Sequence, residues 1–448
     1  MADSIREQQW HLDAMKASEM WKVSKGQGVT VAVIDSGFKL DHPDLAGQLL
    51  PGKDFSGLSG GVGSYTESHG TEMAALVVGS GKGLNGSGAY GLAPGAKVLP
   101  IKIKNNDNAA GVSSSDFLNQ IDQGIVYAAD QGAKVISISQ ATSAARLSAD
   151  DLAGLKAAVD HAQAKGSLVV AGVGNSAQSG NPLQYPAALP GVLGVGAVDR
   201  DGNVTAESEQ GPQVDLVAPG IDIYNACTAP SGYCKGHGTS DATALVSASA
   251  ALVWSVHPDW TANQVLRVLI NTAGKPSDGA VRADNVGYGA VRPRIALTSP
   301  GDPGPAEVSP IPEKAVEVPP GSPSSAPSPS ASASTGASAG ANATPSEVSS
   351  PVGAPAGQPV ADGAADSGSV MPIVVAVAVG LVLVAGIVFF VVRRRGAAAA
   401  QGVGVPPVPV GYPHVPGQPP QQHAGPGVPP GPPSYEPPAP PSDNPYAR

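Results

Sequence analysis

Charge, rings and thiols are all scarce in this 448-residue chain: 14% of residues are charged, 4% are aromatic and two are cysteine. Two cysteines exclude a disulfide-dense scaffold and a cysteine-ligated metal cluster. The formal net charge is −10 and no basic stripe appears, so nucleic-acid binding has no electrostatic basis. No repeat with a period of about 20–50 residues is visible, which excludes solenoids and propellers. The opening MADSIREQQW carries no apolar export segment.

What is plentiful is proline, 45 residues in all, and it is unevenly spread. Thirteen prolines fall in residues 1–298 and fourteen in 299–369; one is Pro372, and seventeen lie in 396–448. Residues 1–298 therefore have the composition of one globular domain. The proline-rich stretches are too poor in large apolar side chains to bury a core.

Between those stretches, Val370–Val392 holds 23 positions without a charge, enough to cross a hydrocarbon core of ~30 Å as a helix. Arg393, Arg394 and Arg395 follow at once. The positive-inside rule then places 393–448 in the cytoplasm and 1–369 outside. That orientation requires export, so an export signal is expected ahead of Met1. Residues 299–369 read as a disordered stalk and 393–448 as a disordered, proline-rich cytoplasmic tail.

Cys227 and Cys234 sit in the loop segment CTAPSGYC. In an extracellular domain a disulfide between them is expected; two free thiols are the alternative. His237 would complete a metal trio, but no fourth ligand is evident, so no metal is assigned.

Within 1–298, VTVAVI (29–34), KVLPIKI (97–103), KVISI (134–138), SLVVA (167–171) and VLGVGA (192–197) are short β-branched runs. Such near-continuous apolar strands suit a parallel sheet buried on both faces. Between them, Phe117, Leu118, Ile121, Ile125 and Ala128 form one helical stripe, and Leu152, Leu155, Val159 and Ala162 another. The alternation predicts an α/β layer fold with its site at the carboxyl ends of the strands.

Three residues stand out at such positions. Asp35 closes the first strand, His69 precedes a small-residue helix in SHGTEMA, and Ser240 opens another in GHGTS. Singly, each has a bland role as a turn residue, a structural histidine or an N-cap. A nucleophilic serine needs a base, a carboxylate to orient it, and oxyanion donors. Asn175, just past SLVVA in AGVGNSA, supplies such a donor at the same sheet edge.

The order Asp, His, Ser is that of the subtilisin triad. VAVIDSG, SHGTEMA, GVGN and GHGTS together resemble the signature segments of subtilisin-like serine proteases (peptidase family S8), as do LDHPDL, APGAKVLPIKI and VDLVAPG. The resemblance covers roughly residues 8–298. It implies a subtilisin-like three-layer fold with a mainly parallel sheet. It also implies serine endopeptidase activity on protein or peptide substrates. Asp35 would orient, His69 act as general base, Ser240 as nucleophile and Asn175 as oxyanion donor. The family leaves calcium open, with Asp41, Asp44 and the loop 79–91 as oxygen sources.

The layout of protease domain, stalk, single span and basic flank resembles the mycosins. These are membrane-anchored proteases associated with type VII secretion. The expectation is a single-pass cell-membrane protein with its catalytic domain extracellular, partnered by a type VII secretion membrane complex. The alternative is a structural component of that complex with incidental proteolysis.

Two departures bear on activity. Asp241-Ala242-Thr243-Ala244 stands where the family has Met-Ala-x-Pro, so a carboxylate beside the nucleophile opposes an oxyanion. ISISQAT (136–142) replaces the usual Ser-Leu-Gly of the substrate-binding strand. With a histidine base titrating near ~6.5, activity is expected to fall below about pH 6.

Overall fold

The computed structural model describes residues 4–104, 112–312 and 314. Its strands are β1 (Thr30–Asp35), β2 (Lys53–Asp54), β3 (Lys97–Lys102), β4 (Val135–Ile138), β5 (Thr142–Ser143), β6 (Leu168–Gly172), β7 (Gln184–Tyr185), β8 (Val192–Val198), β9 (Leu216–Pro219), β10 (Ile223–Ala226) and β11 (Tyr233–Gly236). Seven of them form one sheet in the order β2-β3-β1-β4-β6-β8-β9. All its pairings are parallel. Every residue of β4, β6 and β8 is buried, as a sheet covered on both faces requires.

The chain moves one way from β1 to β3 and the other way from β3 through β4 to β6. Right-handed crossovers then send the intervening helices to opposite faces. Ser114–Asp130 and Ala149–Ala164 pack together on one face, and His69–Val78 and Thr239–Val256 on the other. Both stripes expected from the sequence are buried throughout. The Thr239–Val256 helix is instead buried nearly all round, and its alanines, serines and threonines let the sheet approach it closely.

Strand order reverses at β1, between β3 and β4. The carboxyl ends of β1, β4 and β6 thus lie side by side at a topological switch point, where a ligand crevice forms.

Both flanks of the domain are tied down. Near the start, Leu12, Met15 and Met20 enter the core, and the Gln9 amide donates to the carbonyls of Tyr90 and Tyr224 at 2.8 and 3.1 Å. Beyond Thr298 the chain stays on the domain as far as it is described. The boundary expected at residue 298 therefore falls short of a segment that Lys314 anchors. The rest of the expected stalk, the 370–392 span and the 393–448 tail lie outside the described residues. Among the described residues no helix is long and apolar enough to cross a membrane.

Candidate active site

Asp35, the last residue of β1, is fully buried. Its carboxylate accepts from the Ser36 backbone N–H at 2.7 Å and the Ser36 hydroxyl at 3.1 Å. His69 opens its helix directly opposite, with Nδ1 at 2.8 and 2.9 Å from the two Asp35 oxygens. The Gln140 amide, just past β4, adds a longer donor to the same carboxylate at 3.3 Å. The imidazole is thereby fixed with Nδ1 toward Asp35 and its other nitrogen away from it.

Ser240 is the second residue of the Thr239–Val256 helix, 8% exposed. Its hydroxyl donates to the Ser139 carbonyl at 3.3 Å, so it is turned from His69 in this state. Gly238, with φ at 118°, lets the chain enter the helix beside Asn175; a side chain there would lie 2.8 Å from the Asn175 amide nitrogen. Asn175 Oδ1 accepts the Thr239 N–H at 2.8 Å. That bond fixes the amide's orientation and leaves its NH2 group at the cleft. His69, Ser240 and Asn175 line one cleft of about 290 Å³, together with Ser139, Gly174 and Gln184. Of the four residues singled out from the sequence, three line this cleft and the fourth, Asp35, lies buried behind His69.

The electrostatics are set by buried acids. Burial is the largest single influence on His69 and opposes its charge. The Asp35 carboxylate and its hydrogen bond, with Glu67 and Asp241 adding to them, outweigh it and hold the imidazole at about 9. Asp241 is 1% exposed, and neither carboxyl oxygen has a hydrogen-bond partner. Burial, with the Glu72 charge behind it, pushes Asp241 up to about 7 against the pull of His69 and His237.

Cys227 and Cys234 form a disulfide that closes the β10–β11 hairpin. Their sulfurs are therefore not ligands, although the Glu72 carboxylate lies near them. His237 pairs instead with Glu207 at 2.9 Å. Of the oxygens named for calcium, those of Asp44 and Asp41 have partners within the protein. Asp44 spends its carboxylate on the N–H groups of Gly83 and Ala89, at 2.6 and 2.9 Å, and on the Tyr233 hydroxyl. Asp41 is exposed and pairs with Lys39 at 2.9 Å.

Residues 26–290 match the subtilase family. The chain belongs to that family. Thermitase of Thermoactinomyces vulgaris is 34% identical over 263 residues, 59% of this chain and 87% of thermitase. Among solved structures, MycP1 from the ESX-1 type VII secretion system aligns with a TM-score of 0.57 at 28% identity, over 67% of this chain and 88% of that one. A chain of the periplasmic assembly from the ESX-5 inner membrane complex aligns at 0.58 and 29%, over 72% and 90%. This subtilase is thus a serine endopeptidase whose structural neighbours are mycosins.

Sequence reasoning gave no role to Ser36, Gln184 or Glu209, and took Ser139 and Gln140 only as part of the substrate-binding segment 136–142. Ser36 and Ser139 each directly follow a strand end, the signal that could have found them. Gln184 and Glu209 reach the site through a loop and a bridge between β5 and β7, which no periodicity announces.

Proposed function

We propose that this subtilase cleaves peptide bonds with Ser240 as nucleophile, His69 as general base and Asp35 as the carboxylate that orients it. What carries the reading is the Asp35-fixed imidazole facing the cleft that Ser240 and Asn175 share. Rotation about χ1 takes the Ser240 hydroxyl from the Ser139 carbonyl to His69 Nε2. Its oxygen attacks the substrate carbonyl as the proton passes to Nε2. The oxyanion is held by the Ser240 N–H and the Asn175 amide. Collapse hands the proton to the leaving amine, and water repeats the cycle on the acyl-enzyme. A fluorophosphonate probe should label the wild type, and Ser240→Ala should abolish labelling; a folded wild type that stays unlabelled sinks the reading.

The same proposal extends to place. Val370–Val392 anchors the protein, Arg393–Arg395 hold the tail in the cytoplasm, and the catalytic domain works outside beside a type VII secretion membrane complex. The likeness to chains named for ESX systems supports this.

A second reading is favoured by that ESX-5 likeness, because its chain is part of an assembly. Here the domain stabilises the complex and cleavage is incidental. Complementing a deletion strain with Ser240→Ala separates the two: restored secretion favours the scaffold, lost secretion favours cleavage.

A further inference from the structure

Beyond Asn175 the cleft is floored by Gln184, and one wall is Gly174. Gly174 has φ at 113°, and behind it stands a carboxyl group: a side chain at 174 would lie 2.6 Å from Glu209 Oε1. Glu209 is fully buried. Its Oε1 accepts from Gln184 Nε2 at 2.7 Å and from the Ser176 N–H at 3.3 Å, while Oε2 has no partner among the described residues. With its NH2 committed to Glu209, the Gln184 amide presents its oxygen elsewhere, as an acceptor.

This end of the cleft is therefore short of donors. Among the described residues no lysine or arginine lines the cleft, and its histidines, His69 and His237, pair with Asp35 and Glu207. Burial pushes Glu209 up to about 7, as expected of a carboxyl without a counter-charge. Glu209 lies behind the lining, not in it, so an occupant meets it through the Gln184 amide; the amide oxygen and the carboxyl behind it make this pocket negative, which an apolar side chain leaves unanswered. A cationic one would donate to the Gln184 oxygen, answer the charge behind it, and bury its methylenes along Gly174.

The residue whose carbonyl rests between Ser240 and Asn175 places its own side chain one Cα away, in this pocket. We propose that Glu209, with Gln184 in front of it, makes this protease selective for lysine or arginine on the acyl side of the scissile bond. The proposal rests on Ser240 as nucleophile and Asn175 as oxyanion donor.

The test is a set of peptides that differ only at that residue: arginine, lysine, leucine or phenylalanine. The wild type should favour arginine over leucine at least tenfold in kcat/KM. The near-isosteric Glu209→Gln should lower that ratio about tenfold. A wild-type preference for leucine or phenylalanine overturns the proposal, as does a ratio that Glu209→Gln changes less than twofold. Should the variant not fold, peptide aldehydes ending in argininal and leucinal, compared as wild-type inhibitors, give the same ordering or reverse it. Fluorophosphonate titration keeps the two readings apart. An unlabelled wild type fails at Ser240, whereas a labelled enzyme with apolar preference fails only at Glu209.

Discussion

Two carboxyl groups lie near His69, the proposed base, and are held in opposite ways. Asp35 is surrounded by donors from Ser36, His69 and Gln140, whereas Asp241 is buried with none. Both raise the pKa of His69, and a protonated imidazole cannot take the serine proton. Activity therefore rises with pH as His69 deprotonates, and its value of about 9 moves the acid limb well above the pH 6 expected of an unperturbed histidine. Asp241→Asn removes a negative charge near the ring, so the limb in kcat/KM should shift downward and activity at pH 7 should rise severalfold. An unmoved limb would show that Asp241 does not couple to His69.

The same residue makes a stability prediction. Because Asp241 is raised from 3.8 to about 7, the folded state binds its proton more tightly than the unfolded chain does. Wild-type stability then falls as pH rises from about 4 through 7. Asp241→Asn should stabilise relative to wild type by on the order of 2–4 kcal/mol more at pH 8 than at pH 4. Urea titrations at the two pH values check it; an equal difference at both contradicts it. At the oxyanion, Asn175→Ala should cut kcat about 10²–10³-fold, the loss known for removing such a donor in subtilisin, with little change in KM.

At the scale of elements, the sequence was most legible where local pattern and burial agree. The five β-branched runs match β1, β3, β4, β6 and β8 to within a residue at each end, and both helical stripes face the core. Asp35, Asn175 and Ser240 were legible because strand ends and helix starts are local features. Partnerships across long separations were not. Proline composition made residues after 298 read as stalk, yet what binds them is mostly side chains of the domain reaching their carbonyls, together with their own Lys314. A segment rich in proline lacks N–H donors, so its carbonyls are met by side chains instead. Arg267 donates to the carbonyls of Pro303 and Pro305 at 2.6 and 3.0 Å, and Thr261 and Asn263 both reach Ala306 O. Lys314 then plugs into a buried acceptor set of Ala187 O, Val192 O, Gln213 O and the Asp215 carboxylate, at 2.7–3.2 Å.

Burial lowers Lys314 and raises Asp215, so each charge depends on the other. Lys314→Met should cost about 3–5 kcal/mol, because Asp215 is left buried and unpaired. Adding Asp215→Asn should recover part of the loss. Denaturant midpoints of the single and double variants decide it. A chain ending at residue 298 should likewise melt below one ending at 320; equal midpoints would mean that the strap contributes nothing.

At the scale of the whole molecule, the question is where the cleft works. Fifty-five residues separate Lys314 from Val370. A flexible chain of that length spans ~40 Å on average, and a fully extended polyproline one ~170 Å. If residues 315–369 tether the domain to a membrane as proposed, Lys314 sets where the tether starts and its length sets how far from a bilayer a substrate can be met. Such a tether matters only if Val370–Val392 spans with Arg393–Arg395 inside. The chain's own chemistry offers a clean test, because Cys227 and Cys234 are bonded to each other and do not react with maleimides. A Ser332→Cys variant should be labelled by a membrane-impermeant maleimide on intact cells, and Ser434→Cys only after permeabilisation. The reverse pattern would place the protease domain in the cytoplasm. Labelling of both on intact cells would mean that no span lies between them, and the anchored reading would fail with it.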